Sequence, residues 1–205
     1  MRVLELYCGT KSVGKVWEKY GWEVVSVDIV PKRKPTILVD VLEWNFREAF
    51  PTGHFDVIWS SPPCTTFSIL QYSNIGRKMS DGRIKTHQII EDNIENIGIP
   101  LLRKTEEIIQ YFNPRFWFME NPQTGRMKQY TIFPNFTDVS YCSYGFPYRK
   151  KTRIWSNTDY KGVCCKCPKH EGTVQDVSLL NRYSIPPMLI DSIGEYIKYE
   201  MSQNT

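Results

Sequence analysis

Along the first sixty positions the apolar residues switch between two periods. Val3-Leu4-Glu5-Leu6-Tyr7 reads as a short strand, Glu23 to Asp28 as a second, Thr36 to Asp40 as a third and Phe55 to Ser60 as a fourth. Between the first two, Val13, Val16, Trp17 and Tyr20 recur at helical spacing, with Ser12 expected as N-cap and Gly21 as the stop. Strand, helix and strand within about 30 residues make the βαβ unit of a parallel sheet, so a Rossmann-like α/β fold is expected.

The pattern then changes. Residues 65–85 are polar and aperiodic and carry Arg77, Lys78, Arg83 and Lys85, as expected of a functional loop or a solvated one. Ile90, Ile94, Ile97, Leu101, Ile108 and Phe112 follow a three-four spacing that predicts a long helix with one buried stripe. Gly98 and Pro100 should kink or divide it. Phe116 to Glu120 reads as a fifth strand, and Phe136 to Ser140 and Arg153 to Trp155 as later ones. Pro186-Pro187 open an amphipathic closing helix, expected over about 187–201. The expectation is one domain over 1–205 with a small insert at about 157–182.

Composition narrows the classes. With 41% hydrophobic and 14% aromatic residues the chain can bury a core. It has no apolar run of about 18 residues, so no membrane association is expected. Twenty-six basic against 22 acidic side chains give +4, which tolerates a polyanionic partner without demanding one. No charged and apolar leader precedes the first strand, so the expected compartment is intracellular and cytoplasmic. There the six cysteines would be catalytic, metal-bound or buried rather than cross-linked.

Three strand ends carry candidate chemistry. Cys8-Gly9-Thr10-Lys11-Ser12 is a glycine-containing strand-to-helix turn, but neither a dinucleotide fingerprint nor a P-loop. By itself it is equally an ordinary turn. Asp28, ending the second strand about 20 residues on, suits ribose hydroxyls. Asp40, ending the third, could meet an adenine edge. Ser61-Pro62-Pro63-Cys64 holds a cysteine just past a strand on stiff prolines, either as an activated nucleophile or as a structural thiol. Glu120 ends the fifth strand, where it is a candidate general acid or hydrogen-bond donor if it meets Cys64. Cys164, Cys167 and His170 have metal-like spacing, with Cys165 or Cys142 as a fourth ligand. Zinc could order so small a segment, and free thiols on a basic loop are the alternative.

The order of Leu4-Glu5-Leu6-Tyr7-Cys8-Gly9-Thr10, Pro62-Pro63-Cys64-Thr65-Thr66-Phe67-Ser68 and Glu120-Asn121-Pro122 resembles the cytosine-C5 DNA methyltransferase family, in its compact phage and large-DNA-virus form. The segment ending at Arg153 and the closing Ser184-Ile185-Pro186-Pro187 continue the resemblance. It implies a Rossmann-like methyltransferase fold, mostly parallel, with helices on both faces, that uses S-adenosylmethionine. The cofactor would be held by Tyr7, stacked on adenine, with Cys8, Gly9 and Thr10 in the first turn. Asp28 with Ile29, Asp40 with Val41, and Ser61 with Pro63 would complete its pocket. Cys64 would attack C6 of a flipped cytosine, Glu120 would contact N3 and the exocyclic amine, and Arg153 would sit near the base carbonyl and the thiolate. The loop 65–85 would close over the nucleic acid. The partner is DNA, the site of action the host cell for a viral or phage protein, and the expected assembly a monomer or weak dimer.

Departures from the family accompany these matches. Lys11 replaces a family glycine, and Arg149-Lys150-Lys151-Thr152-Arg153 stands where Gln-x-Arg-x-Arg is usual, with Lys151 as stand-in for the first Arg. Tyr183 replaces an Asn that supports the catalytic loop. Only 32 residues separate Arg153 from Pro186, where a large target-recognition domain is usual. Specificity is therefore expected to be short, relaxed or supplied by a protein partner. Rival readings are the same chemistry on RNA or a cytosine nucleotide, an inactive nucleic-acid-binding accessory subunit and, more remotely, a nicotinamide-dependent dehydrogenase.

Overall fold

The period-two pattern builds one sheet. In this computed structural model, which describes residues 1–166, 172 and 177–203, the strands are β1 (Arg2–Leu6), β2 (Glu23–Asp28), β3 (Ile37–Leu38), β4 (Val57–Ser60), β5 (Phe116–Pro122), β6 (Phe136–Ser140) and β7 (Lys151–Ser156). Their order is β3-β2-β1-β4-β5-β7-β6. β1 to β5 are parallel, and β7 is antiparallel to both of its neighbours. β1 is expected to reach Tyr7, but Tyr7 adopts φ 57° and ends the strand at Leu6.

Alternate residues of the central strands enter two different cores, which requires helices on both faces. Val3, Trp59 and Phe118 pack with Trp17 of α1 (Gly14–Trp17) and with Leu189 and Ile193 of α6 (Pro187–Gln203). Leu4, Ile58, Trp117 and Met119 face the other way, onto Ile90 of α3 (His87–Asn93) and onto Leu102 and Phe112 of α4 (Ile99–Phe112). Two four-residue helices, α2 (Phe46–Ala49) and α5 (Leu179–Arg182), are too short to leave a periodic signal.

Two local expectations change for identifiable reasons. Ser12 does not cap α1. The buried carboxylate of Glu5 accepts from Val13 N at 3.3 Å and from Gly14 N at 3.1 Å, while Ser12 Oγ accepts from Ile185 N. A long-range carboxylate has taken the cap that a local serine would have supplied. The long helix is divided, as Gly98 and Pro100 suggest, by a π-helical turn at Ile94–Gly98. The inserted residue shifts the stripe by one position, so Ile97 is exposed whereas Gly98 is buried. A Cβ at Gly98 would lie 2.8 Å from Thr66 Oγ1 and 2.9 Å from Phe67 Cζ, so the glycine lets the loop after Cys64 seat on this helix.

The loop 65–85 has structure of its own. Ser68 Oγ accepts from Leu70 N to start a 3-10 helix at Ile69–Asn74, and a bridge between Lys78 and Ile84 closes a tight excursion. Among the described residues no helix is long and apolar enough to cross a membrane.

The α1–α6 contact is close-packed: Trp17 Nε1 donates to Ile190 O at 3.1 Å, and a Cβ at Gly194 would fall 2.4 Å from Tyr20 Cε2. Gly194→Ala should therefore lower stability by about 1–3 kcal/mol in urea denaturation, despite the better helix propensity of alanine.

Candidate active site

Parallel strands end on the same edge, and β1, β2, β4 and β5 deliver their next residues there. After β1 the chain reverses through Tyr7, Gly9 and Lys11, with φ values of 57°, 48° and 55°. The left-handed backbone at Lys11 explains the family's glycine at that position, since a side chain adopts it only with strain. Lys11 does not line the cavity described below, so the replacement leaves the turn open. Asp28 locks this turn to the next one, its Oδ2 accepting from Gly9 N and its Oδ1 from Val30 N, both at 2.8 Å. Tyr7 is anchored through its hydroxyl, which meets Thr105 Oγ1 at 2.9 Å and donates to Leu101 O at 3.2 Å.

Beyond β4 the chain runs through Pro62-Pro63 to Cys64, a half-buried free thiol. Asn121 of β5 donates through Nδ2 to Pro62 O at 2.9 Å and so ties the cysteine loop to the neighbouring strand end. Glu120, one residue earlier, is buried; its Oε1 accepts from the Tyr141 hydroxyl at 3.1 Å and lies 3.8 Å from Lys150 Nζ. Burial pushes the Cys64 thiol up, Lys150 pulls it down, and the charge of Glu120 pushes it up again. Cys8 has no comparable help: burial, with Glu5 and Asp28 close by, pushes its thiol up to about 12. The two cysteines thus divide into an addressable thiol and an inert one.

These groups share one cavity of about 380 Å³. Tyr7, Cys8, Gly9 and Thr10 line it from the first turn. Asp28, Ile29, Asp40 and Val41 line it from the second and third strand ends. Ser61, Pro63, Cys64 and Glu120 complete it from the central strands. Arg153 is the site residue that the structure does not bring in. It faces Asp138, its direct cross-strand partner, with Nε–Oδ1 at 2.8 Å and Nη2–Oδ2 at 3.0 Å, and its guanidinium stacks 3.5 Å from the centre of the Phe136 ring. The cation in the cavity is Lys150, which the sequence reading passed over in favour of Lys151 and Arg153; Lys151 is exposed. Lys150 precedes β7, where no periodicity marks it.

Glu5 was missed as well, although a charged residue inside an apolar strand was the available signal. Glu5, Asp28 and Asp40 give the cofactor half of the cavity three carboxyls beside the Tyr7 ring and the aliphatic Ile29 and Val41, a donor set suited to a cationic ligand with a flat base. Among the described residues no three His, Cys, Asp or Glu side chains gather as a metal site. Cys164 is exposed and its thiol donates to Asp138 O at 3.2 Å, while Cys167 and His170 lie outside the described residues.

No protein-family model matches the chain. A curated protein of Frog virus 3 (isolate Goorha), "Probable DNA (cytosine-5)-methyltransferase", is 42% identical over 181 residues, covering 83% of this chain and 79% of the viral one. Two crystal structures are also similar. One is a prophage-encoded E. coli protein crystallised under the name of a DNA modification methyltransferase, with TM-score 0.47, 15% identity and coverage of 76% of this chain. The other is a mutant of Spodoptera frugiperda DNMT2, with TM-score 0.45, 16% identity and coverage of 83%. This chain spans 46% and 56% of those two chains, about half of each.

Two outcomes follow from the electrostatics. Lys150→Met removes the charge that favours the Cys64 thiolate, so the pH profile of Cys64 alkylation by iodoacetamide, followed by peptide mass spectrometry, should move upward. Burial raises the Glu5 carboxyl from 4.5 to about 7, so its contribution to stability is full below pH 4.5 and is lost as pH rises through 7. Glu5→Gln should flatten the stability curve across that window in denaturant titrations.

Proposed function

The chain belongs to the DNA (cytosine-5)-methyltransferase family, and from that premise we propose that it transfers a methyl group from S-adenosylmethionine to C5 of cytosine in DNA through a covalent adduct on Cys64. The observation that carries this reading is the convergence of Cys64, Glu120 and Lys150 with the carboxylate-lined turn of β1 in a single cavity. S-adenosylmethionine, when bound, supplies an electrophilic methyl group on a sulfonium. Its positive charge suits Glu5, Asp28 and Asp40, and its adenine suits Tyr7, Ile29 and Val41.

Each protein group then has a task. The Cys64 thiolate adds to C6 of the base, and the ring's electron pair moves toward C5. Glu120 holds N3 and the exocyclic amine, which keeps the developing charge on the ring. Lys150 favours the thiolate before attack and again when it leaves. After C5 has taken the methyl group, loss of the C5 proton to solvent or a bound base and expulsion of the Cys64 thiolate restore the C5–C6 double bond. Reaching C6 requires the base outside the stack, so duplex DNA is bound with the target nucleotide flipped.

Lys150 takes the place that the family resemblance would give to Arg153. With 32 residues between Arg153 and Pro186, few side chains are available to read base edges, so the target is short or is set by a protein partner. The test offers labelled S-adenosylmethionine with duplex DNA, single-stranded DNA, RNA and dCMP in parallel, followed by nucleoside mass spectrometry. The expected result is 5-methylcytosine in DNA, abolished by Cys64→Ala and retained in Arg153→Ala. Label on RNA or dCMP alone would replace the substrate, and no transfer despite cofactor binding would leave an accessory subunit.

A further inference from the structure

Glu120 and Lys150 carry opposite charges in a nearly dry setting, their side chains 9% and 14% exposed, yet they stand 3.8 Å apart instead of in contact. A charge-assisted hydrogen bond would draw them to about 2.8 Å. Each is held by something else. Glu120 Oε1 accepts the Tyr141 hydroxyl at 3.1 Å, and Lys150 Nζ donates to Arg182 O at 3.2 Å and sits 4.7 Å above the Tyr141 ring. The backbone adds a third link, with Tyr141 N donating to Lys150 O at 3.1 Å.

Tyr141 is therefore common to both partners. It is fully buried at the end of β6, where a 3-10 turn (Tyr141–Tyr144) begins, and Phe146 packs edge-on against its ring at 5.7 Å. Burial, with the Glu120 carboxyl beside it, drives its phenol well above the ordinary tyrosine value, so the hydroxyl stays a donor.

We propose that Tyr141 is the positioning residue of the site: its hydroxyl anchors one oxygen of Glu120 and its ring face seats Lys150, so that carboxylate and ammonium are kept from neutralising each other and remain available to substrate and thiol. The role assigned to Tyr141 rests on the reading of Cys64 and Glu120 as catalytic, but its effect on Cys64 does not require methyl transfer. Without the hydroxyl, Glu120 is free to close on Lys150. The ammonium is then spent on the carboxylate, and Cys64 loses the charge that favours its thiolate.

Tyr141→Phe keeps the ring and removes the link. Two readouts on the full chain test it, with the thermal midpoint checked in each variant. Alkylation of Cys64 by iodoacetamide at fixed pH should slow severalfold, and kcat should fall by roughly tenfold, the order of one hydrogen bond to a charged group, with KM for S-adenosylmethionine unchanged. Adding Lys150→Met to Tyr141→Phe should slow alkylation no further than Lys150→Met alone. Unchanged alkylation in Tyr141→Phe, or fully additive slowing in the double variant, overturns the proposal whether or not the wild type methylates DNA. A wild type that methylates nothing while alkylation responds as expected would overturn the proposed function and leave the positioning intact. Should Tyr141→Phe fail to fold, Glu120→Gln supplies the same alkylation test from the other side of the hydrogen bond. With the carboxylate charge gone, Lys150 stays available and alkylation should quicken, and slower or unchanged alkylation would count against the proposal.

Discussion

The in-register parallel pairing of β1, β4 and β5 is the constraint on which the site depends. Leu6 lies opposite Ser60, and Ser60 opposite Met119, so three strands stop within one residue of each other at one edge. Whatever follows each strand arrives in the same place: the Tyr7–Thr10 turn, the Pro62-Pro63-Cys64 loop and Glu120-Asn121. The antiparallel pair at the far side obeys the same logic. Ser140 lies opposite Lys151, so Tyr141 leaves β6 beside Lys150 as it enters β7, at that same edge. A slip of one residue in any of these registers would turn every side chain to the opposite face.

Charge is distributed along this edge in two halves. The cofactor half is acidic and uses its carboxylates structurally as well, Glu5 to cap α1 and Asp28 to hold two turns. The catalytic half contains one thiol, one carboxylate and one ammonium, each tethered separately. Separate tethering matters because a buried ion pair left to itself satisfies itself, and its charges no longer act on a substrate.

The motifs were legible because they sit where local rules apply. Strand ends show in the period-two pattern, and Gly98 and Pro100 mark the division of the long helix through their own backbone restrictions. Twelve of the thirteen candidate catalytic and cofactor residues meet in one cavity because a parallel sheet leaves their strand ends nowhere else to go. Arg153 was the exception. It lies on β7 directly opposite Asp138, and a cross-strand partner of opposite charge is invisible until the register is known.

By itself, then, the sequence determined the strands, their parallel class, the nucleophile and its carboxylate partner, all consequences of short-range periodicity and of motif order. The tertiary structure alone decided that Glu5 and not Ser12 caps α1, that a π turn exposes Ile97, and that Lys150 and not Arg153 reaches Cys64. Each of those outcomes is a competition between groups distant in the chain. Which group wins depends on distances that no local pattern encodes.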